Sequence, residues 1–321
     1  MRKHSHSAFI LAAALVYLMP GAPALAATKI WVSNAGVDNA TCGTPASPCR
    51  SFQGAHDNVA IGGEIGVLTP GDYGQTFISK SVHITNDAVG EATVLRPPTD
   101  GAITIAAAAG SIVSLRGLVL DAQGVGPTQG IQVAGATAVH VQNCVIRNFV
   151  FGILMFTVNN TKLFVSDTIV YNNGTVAETG GIFVQPTAGG AANVVLDRVR
   201  LENNVVGLFV AGRFTTGDGS HVVLRNSVVS GNAADGILAT TTAGQAPAFI
   251  VVERTSSMNN AGTGIRADGP GATMLLHANT VARNAVGISA VNMGQLISYG
   301  TNKVNNNDGP DGTPTGGYLP R

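Results

Sequence analysis

The sequence has few charged residues and few aromatic residues. Of its 321 residues, 11% are charged and 5% are aromatic, and 18 basic residues balance 18 acidic ones. Proteins that bind nucleic acid or an anionic membrane surface through charge carry a basic excess, so this balance excludes both kinds of partner. Intrinsic disorder is excluded as well, because 45% of the chain is hydrophobic, whereas disordered chains are poor in apolar residues.

The N-terminal apolar run is too short to span a membrane and has the form of a secretory signal. Basic Arg2 and Lys3 precede an apolar run over residues 8–18, and the small-residue site Ala24-Leu25-Ala26 follows. A membrane span needs about 20 apolar residues, so no span is predicted. We expect residues 1–26 to be a signal peptide, cleaved after Ala26, and the protein to be secreted or periplasmic.

Cysteine is scarce, with three residues in the chain. Cys42 and Cys49 lie in one short loop of a chain expected in an oxidising compartment, so a disulfide between them is predicted. Cys144 lies in an apolar stretch, where a free cysteine usually packs as a small buried residue. A nucleophilic Cys144 stays open as an alternative, because His140 is four residues upstream and residues an even number apart share one face of a strand.

Glycine is in excess, with 41 residues, and many glycines mark a sequence repeat. A Gly followed by an aliphatic residue recurs at intervals of 22 to 29 residues, and short β-branched runs bounded by turn residues lie between the copies. The repeated pairs are Gly130-Ile131, Gly152-Ile153, Gly181-Ile182, Gly207-Leu208, Gly236-Ile237, Gly264-Ile265 and Gly287-Ile288. A repeat of this length built from short strands predicts a parallel β-solenoid, in which each turn stacks on the one before.

Asparagines precede most of these glycines at a nearly fixed distance, and we expect them to form a ladder inside the solenoid. Stacked turns place equivalent residues about 4.8 Å apart, and an Asn amide can donate to one neighbour and accept from another. Asn also tolerates the left-handed backbone of a sharp corner. The predicted ladder residues are Asn148, Asn173, Asn203, Asn232, Asn260 and Asn284. Stacking accounts for the shortage of charge too, because like charges repeated in one column repel each other.

The Asn-x-x-x-Gly-Ile series resembles the repeat of the right-handed parallel β-helix proteins of the pectate-lyase-like superfamily. The segments Trp31–Asp38, Arg50–Gln53 and Pro70–Tyr73 are similar to the lead-in of many secreted bacterial members. The resemblance covers nearly the whole chain after the signal peptide, and it implies a fold much more specifically than a reaction. We expect an all-β, right-handed parallel β-helix of about nine or ten turns.

The two ends of the solenoid need covering, because a bare end is an unpaired strand edge. Residues 27–62 are predicted to form an N-terminal cap, residues 63–300 the β-helix and residues 301–321 an irregular C-terminal tail. Within the cap, apolar residues at helical spacing from Phe52 to Val59 predict a short capping helix, with Ser51 as its N-cap.

The outward positions of the strand after each Gly identify a candidate functional surface. Relatives of this fold that cut polysaccharides usually work on the outer face of one sheet, and in Gly-Ile-x-Val the residue x points outward. The predicted groove residues are Gln132, Leu154, Phe183, Phe209, Leu238 and Arg266, and Ser289 follows in the series. Four of them in a row are apolar. Three interpretations stay open for this stripe: cover by the chain's own loops, a partner or ligand groove, or an error in the facing assignment.

None of these outward positions holds an acid, so no catalytic group is predicted there. Asp121 and Arg116 remain as candidates, because their strand brings an acid and an Arg close to a Gly-rich loop; the alternative role of Asp121 is to bond turn amides. The histidines fall in different columns, so no metal site is predicted. No cofactor is expected, and Ca²⁺ enters only if the protein is a lyase.

The expected function is polysaccharide binding or another surface interaction at or outside the bacterial envelope, by a monomer. That ligand class is what the resemblance implies, and fold alone specifies function weakly. The first alternative is a polysaccharide lyase or glycoside hydrolase acting on an acidic glycan, which predicts acids converging on one face, supplied by long loops. The second alternative is a structural rod or scaffold, which predicts no ligand pocket.

Overall fold

The chain folds into a parallel β-solenoid with three sheets. The computed structural model describes residues 27–87, 89–95, 101–124 and 129–318, so the predicted signal peptide lies outside the described residues. The sheets contain twelve, nine and ten strands, and each strand pairs in parallel with its counterpart in the next turn, as Val139 does with Leu163 and Ile153 with Ile182. The predicted all-β parallel β-helix is confirmed. The nine strands of the smallest sheet enclose eight full turns, close to the nine or ten predicted.

The strands are short and recur in a fixed order around each turn. The twelve-stranded sheet contains Ala27–Val32, Val59–Val67, Val82–Thr85, Ile112–Arg116, Ala138–Gln142, Asn160–Ser166, Ala191–Asp197, Gly219–Arg225, Ala248–Glu253, Ala272–His277, Gln295–Ser298 and Gly316–Gly317. The ten-stranded sheet contains Gly71–Asp72, Ala92–Leu95, Leu118–Asp121, Val145–Arg147, Ile169–Tyr171, Arg200–Glu202, Val228–Ser230, Ser256–Met258, Thr280–Ala282 and Lys303–Val304. The nine-stranded sheet contains Thr76–Ile78, Gly101–Ala106, Gln129–Gly135, Phe151–Met155, Gly180–Val184, Val206–Ala211, Ile237–Thr240, Thr263–Asp268 and Val286–Val291.

The core is a set of aliphatic columns inside the three sheets. Side chains alternate between the two faces of a strand, so the residue after each repeated Gly points inward. One such column consists of Ile131, Ile153, Ile182, Leu208, Ile237, Ile265 and Ile288, which are in register and buried. Each fully buried side chain of this kind contributes about 1.5–3 kcal/mol, and this repeated burial holds the turns together.

A buried asparagine ladder runs along the corner between the ten-stranded and nine-stranded sheets. Its members are Asn173, Asn204, Asn232, Asn260, Asn284 and Asn307. Each of the first five donates its backbone N–H to the Oδ1 of the next asparagine, and all of these five except Asn204 donate their side-chain Nδ2 to the same oxygen. In the middle of the ladder, Nδ2 of Asn232 lies 2.8 Å from Oδ1 of Asn260. The ladder satisfies backbone and amide groups that would otherwise be buried without partners.

Two of the predicted ladder residues lie outside it. Asn203 is exposed and has a left-handed φ of 54°, and its neighbour Asn204 turns inward instead. Asn148 also has a positive φ, of 67°, and its Nδ2 donates to Asp121, while Phe149 occupies the inward position. Each of these corners begins with two residues, of which the first takes the left-handed conformation and the second points into the core. The sequence pattern did not distinguish these two positions.

The chain covers the N-terminal end of the solenoid with a helix and continues the sheets at the C-terminal end. The helix Phe52–Asn58 begins at Ser51, whose hydroxyl accepts from the Gly54 N–H at 3.0 Å, and it buries Phe52, Ala55 and His56. A disulfide joins Cys42 to Cys49, with the Cα atoms 4.9 Å apart, as predicted. At the other end the segment after residue 300 contributes two short strands to the sheets and the last member of the ladder. Within the described ranges, no helix has the length and apolar character needed to cross a bilayer.

Candidate functional site

The six predicted groove residues lie in one column on the nine-stranded sheet. Consecutive strand pairs place them side by side in the order Gln132, Leu154, Phe183, Phe209, Leu238 and Arg266, with Ser289 next. The register follows from the spacing of the repeated glycines, because one residue of slip would move every side chain to the opposite face.

The middle of this column is closed to solvent. Phe183 and Phe209 are 0% exposed and Leu154 is 7% exposed, although all three lie outside the solenoid interior. The rings of Phe183 and Phe209 stack with centroids 4.8 Å apart, and Phe151 packs edge-on to Phe183 at 5.0 Å. Together with Val206 and Ala211 they form a second hydrophobic cluster. Of the three interpretations of the stripe, cover by the chain itself holds for these three side chains.

An ion pair between two loops lies over the stripe. Arg213 donates two hydrogen bonds to the carboxylate of Glu178, at 3.0 and 2.5 Å. Its guanidinium lies 5.4 Å from the ring centroid of Phe209 and 4.8 Å from that of Phe214, within the range of cation–π attraction. The hydrogen bonds from Arg213 outweigh partial burial and hold the pKa of Glu178 below its ordinary value.

Beyond this cover, the face opens into a cavity of about 320 Å³. Its charged and apolar lining includes Glu178, Arg213, Asp235, Leu238, Arg266 and Asp268. Three carboxylates therefore converge on the face that has no acid at its outward column positions. Glu178 and Asp235 lie in connecting segments, and Asp268 ends the strand that carries Arg266.

The charged groups of this cavity bind each other. Arg266 lies 2.7 Å from an oxygen of Asp268 and 3.6 Å from an oxygen of Asp235. Asp268 also accepts from Asn292 at 2.7 Å, and Asp235 accepts from the Thr263 N–H at 2.6 Å. These contacts fix the position of the Arg266 guanidinium. Its planar array of N–H donors suits a carboxylate or a pair of hydroxyls.

Each of the two arginines in this cavity lining has one buried donor without a hydrogen-bond partner in the described part of the chain. The Nε atoms of Arg213 and Arg266 are buried and make no hydrogen bond to any of the described residues. A buried N–H without a partner costs roughly 1–3 kcal/mol.

The sequence of residues 128–309 matches the family model described as the right handed beta helix region. This chain belongs to the right-handed β-helix family. The resemblance predicted from the Asn and Gly repeat is thereby confirmed, together with the hand of the solenoid. None of the curated proteins matches this chain in sequence.

Two solved structures are similar to this β-helix protein. The crystal structure of pectate lyase Pel9A superposes with a TM-score of 0.56 at 15% identity, covering 90% of this chain and 80% of that one. The A-module of the mannuronan C-5 epimerase AlgE4 of Azotobacter vinelandii superposes with a TM-score of 0.46 at 14% identity, covering 81% of this chain and 91% of that one. At these identities the likeness concerns the fold.

The β-helix does not bring Asp121 and Arg116 together. Arg116 pairs with Asp87 at 2.8 Å, whereas Asp121 pairs with Arg147 at 2.9 Å. Asp121 also accepts from the Gln123 N–H and from Asn148, and it is 6% exposed. Burial opposes its ionisation, but these three donors outweigh burial and keep the pKa of Asp121 below its ordinary value. An ionised, buried carboxylate held by three donors stabilises a turn.

Burial accounts for Cys144, and a disulfide accounts for Cys42 and Cys49. The Cys144 side chain is 2% exposed, and burial raises the pKa of its thiol to about 11, so the thiolate needed for a nucleophile is not populated near neutral pH. Among the described residues, one cluster has three potential metal-binding side chains, Asp38, Cys42 and Cys49. Its two sulfurs are joined in the disulfide.

Four residues of the cavity were not predicted from the sequence: Glu178, Arg213, Asp235 and Asp268. Asp268 had a usable signal, because it lies two residues after Arg266 and alternate residues of a strand share a face. Glu178 and Arg213 are 35 residues apart and meet only through the stacking of loops from neighbouring turns.

Proposed function

We propose that this β-helix protein binds a polysaccharide on the outer face of the nine-stranded sheet, in the cavity beside Arg266. The observation that carries the proposal is the partly exposed guanidinium of Arg266, which lies between the carboxylates of Asp235 and Asp268 in the lining of this cavity. Hydroxyl or carboxylate oxygens of a sugar would accept hydrogen bonds from this guanidinium, which carries several N–H donors.

The composition of the cavity supports a sugar as the ligand. Leu238 supplies an apolar surface between ion-paired arginines and acids, and ligand sites typically combine an apolar lining with a few placed polar groups. The fold shared with pectate lyase Pel9A agrees with a polysaccharide ligand as an analogy. Export from the cytoplasm is part of the proposal, supported by the Cys42–Cys49 disulfide.

A reaction on the bound glycan is the alternative proposal. Its support is the convergence of Asp235, Arg266 and Asp268 in the cavity, because acid and base chemistry on glycans needs carboxylates or an Arg beside the scissile bond. We favour binding over catalysis because Asp235 and Asp268 each accept a fixed hydrogen bond and both pair with Arg266. A purely structural rod would bind no glycan.

The test compares two arginines in the same local setting. Arg266 pairs with Asp268 and Arg200 pairs with Glu202, each two residues along its strand, but Arg200 lies on the ten-stranded sheet. We expect Arg266→Gln to raise the Kd for oligogalacturonate or oligomannuronate at least about tenfold, because its charged hydrogen bonds to the ligand are lost, and Arg200→Gln to leave it unchanged. Equal effects of the two substitutions, or no binding by the unaltered protein, would contradict the proposal.

The same samples decide between binding and catalysis. Product formation is followed by chromatography of the oligosaccharides after long incubation, with and without added Ca²⁺. Cleavage or epimerisation that Asp268→Asn and Asp235→Asn abolish would establish the enzymatic alternative, while unchanged oligosaccharides that remain bound would support a binding protein.

A further inference from the structure

A second groove lies on the outer face of the twelve-stranded sheet, away from the nine-stranded face. It has a volume of about 430 Å³, and its lining includes Lys162, Phe164, Asn193, His221, Val223 and Phe249. These residues belong to four consecutive strands and form two neighbouring outward columns. One column consists of Phe164, Val195, Val223 and Val251, and the other of Lys162, Asn193, His221 and Phe249.

Two aromatic rings mark opposite corners of this groove. Phe164 lies on the first of the four strands and Phe249 on the last, so three strand spacings, about 14 Å, separate them along the solenoid axis. A neighbouring imidazole lies beside each ring: His140 stacks on Phe164 with the ring centroids 4.7 Å apart, and His221 is tilted against Phe249 with the centroids 6.0 Å apart. The apolar floor between the rings consists of Val195 and Val223.

The polar groups of the groove are free to bind a ligand. Lys162, Asn193 and His221 are exposed on successive strands, and their side chains make no hydrogen bond or ion pair with the described residues. They offer a cation, an amide that both donates and accepts, and an imidazole. Lys162 is the one charged side chain among the lining residues, so the groove suits a ligand that is neutral or carries a single anionic group near that end.

We propose that this groove is a second glycan-binding site, which holds an oligosaccharide along the solenoid axis. The rings of Phe164 and Phe249 contact the C–H faces of sugar rings, and the edge formed by Asn193 and His221 hydrogen-bonds their hydroxyls. A sugar chain has this same division into apolar faces and hydroxyl edges, and aromatic side chains combine well with ligands of that kind. The site shares no residue with the cavity at Arg266, so each can fail independently.

The experiment measures binding of three probes to the full chain by calorimetry: the neutral cellohexaose and xylohexaose, which we expect to bind this groove, and hexagalacturonate, whose repeated carboxylates exceed the single positive charge of Lys162. We expect Phe164→Ala and Phe249→Ala each to raise the Kd of the bound probe about tenfold through loss of ring contact. Phe249→Tyr keeps the ring and should stay within about threefold of the unaltered protein. Leu275→Ala is the matched control, because Leu275 continues the column after Val251 but does not line the groove.

Three results would overturn this inference. The first is that none of the probes binds the unaltered protein at millimolar concentration. The second is that Arg266→Gln abolishes all binding while both Phe→Ala variants bind normally, which would place all glycan binding on the nine-stranded face. The third is a concentration-dependent dimer in sedimentation equilibrium that Phe164→Ala dissociates, because the face would then join two copies of the chain. Circular dichroism and thermal unfolding confirm that each variant is folded.

Discussion

The outer faces of the nine-stranded and twelve-stranded sheets carry similar apolar columns but differ in what covers them. On the nine-stranded face, Phe183 and Phe209 are fully buried beneath loop residues, and the charged groups nearby are paired. On the twelve-stranded face, Phe164 and Val223 stay partly exposed, and the polar side chains beside them have no partners among the described residues. An apolar column on a solenoid face is therefore either a small second core or an open surface, and the loops decide which.

The largest expected difference between the faces is in stability. Phe209→Ala should lower the free energy of unfolding by about 3–5 kcal/mol, because it empties a fully buried position. Val223→Ala, at an outward position in the next strand along the chain, should lower it by about 1 kcal/mol, because Val223 is already partly solvated. Urea unfolding of both variants measures the difference. Equal losses would mean that the stripe on the nine-stranded face is not a core.

The asparagine ladder lies inside the solenoid, so breaking it should affect strands of both faces alike. Asn232→Ala removes hydrogen bonds to Asn260 and to the Leu201 carbonyl and one accepted from the Asn204 N–H. We expect a loss of about 3 kcal/mol, because buried groups are left without partners. Hydrogen exchange should quicken equally in strands of both faces next to this turn.

The control for the ladder is Asn203→Gly. Asn203 has a positive φ, which Gly adopts without cost, and its side chain is outside the ladder. We expect a change below about 0.5 kcal/mol. A large effect of this substitution would mean that the outward corner residue carries part of the ladder's stability.

Much of the architecture could be predicted because a stacked repeat makes sequence spacing equivalent to spatial register. The column from Gln132 to Arg266 followed from the Gly spacing alone, since every turn contributes one strand to each sheet. The ladder residues were harder to predict from the sequence, because Asn204 lies three residues before Gly207 whereas Asn232 lies four residues before Gly236. Variable insertions between the inward Asn and the Gly shifted the assignment to Asn203.

The site could be predicted only in part, because burial and pairing depend on loops rather than on columns. The sequence placed Phe183 and Phe209 on the outer face, but it did not show that Glu178 and Arg213 meet above them across 35 residues. Asp268 could have been found by strand alternation from Arg266. The unpaired character of Lys162, Asn193 and His221 needed the structure, because it rests on which neighbouring side chains fail to reach them.

A smaller effect is expected from opening the cover on the nine-stranded face. Arg213→Gln removes the ion pair with Glu178 and the contact with the Phe209 ring. Because the pair is partly solvated, we expect a loss of about 1 kcal/mol, accompanied by increased binding of a dye that fluoresces on apolar surfaces. Arg200→Gln, which breaks an exposed pair on the ten-stranded sheet, should change neither readout. Dye binding that stays at the level of the unaltered protein would show that other groups suffice to close the stripe.

The smallest expected effect is a dependence of this cover on pH. Glu178 has a pKa below its ordinary value of 4.5 in the folded chain, where hydrogen bonds from Arg213 outweigh burial. A carboxyl whose pKa is lowered by folding stabilises the folded state above its unfolded pKa, and that contribution disappears as the pH falls through the folded value. Dye binding by the unaltered protein should therefore rise as the pH is lowered below about 4.5, before global unfolding. Glu178→Gln should bind more dye already at neutral pH and show little further change on acidification, because it has no proton to gain. A rise of the same size in both proteins would assign the acid effect to other carboxylates, and the Glu178–Arg213 pair would then not be what closes this face.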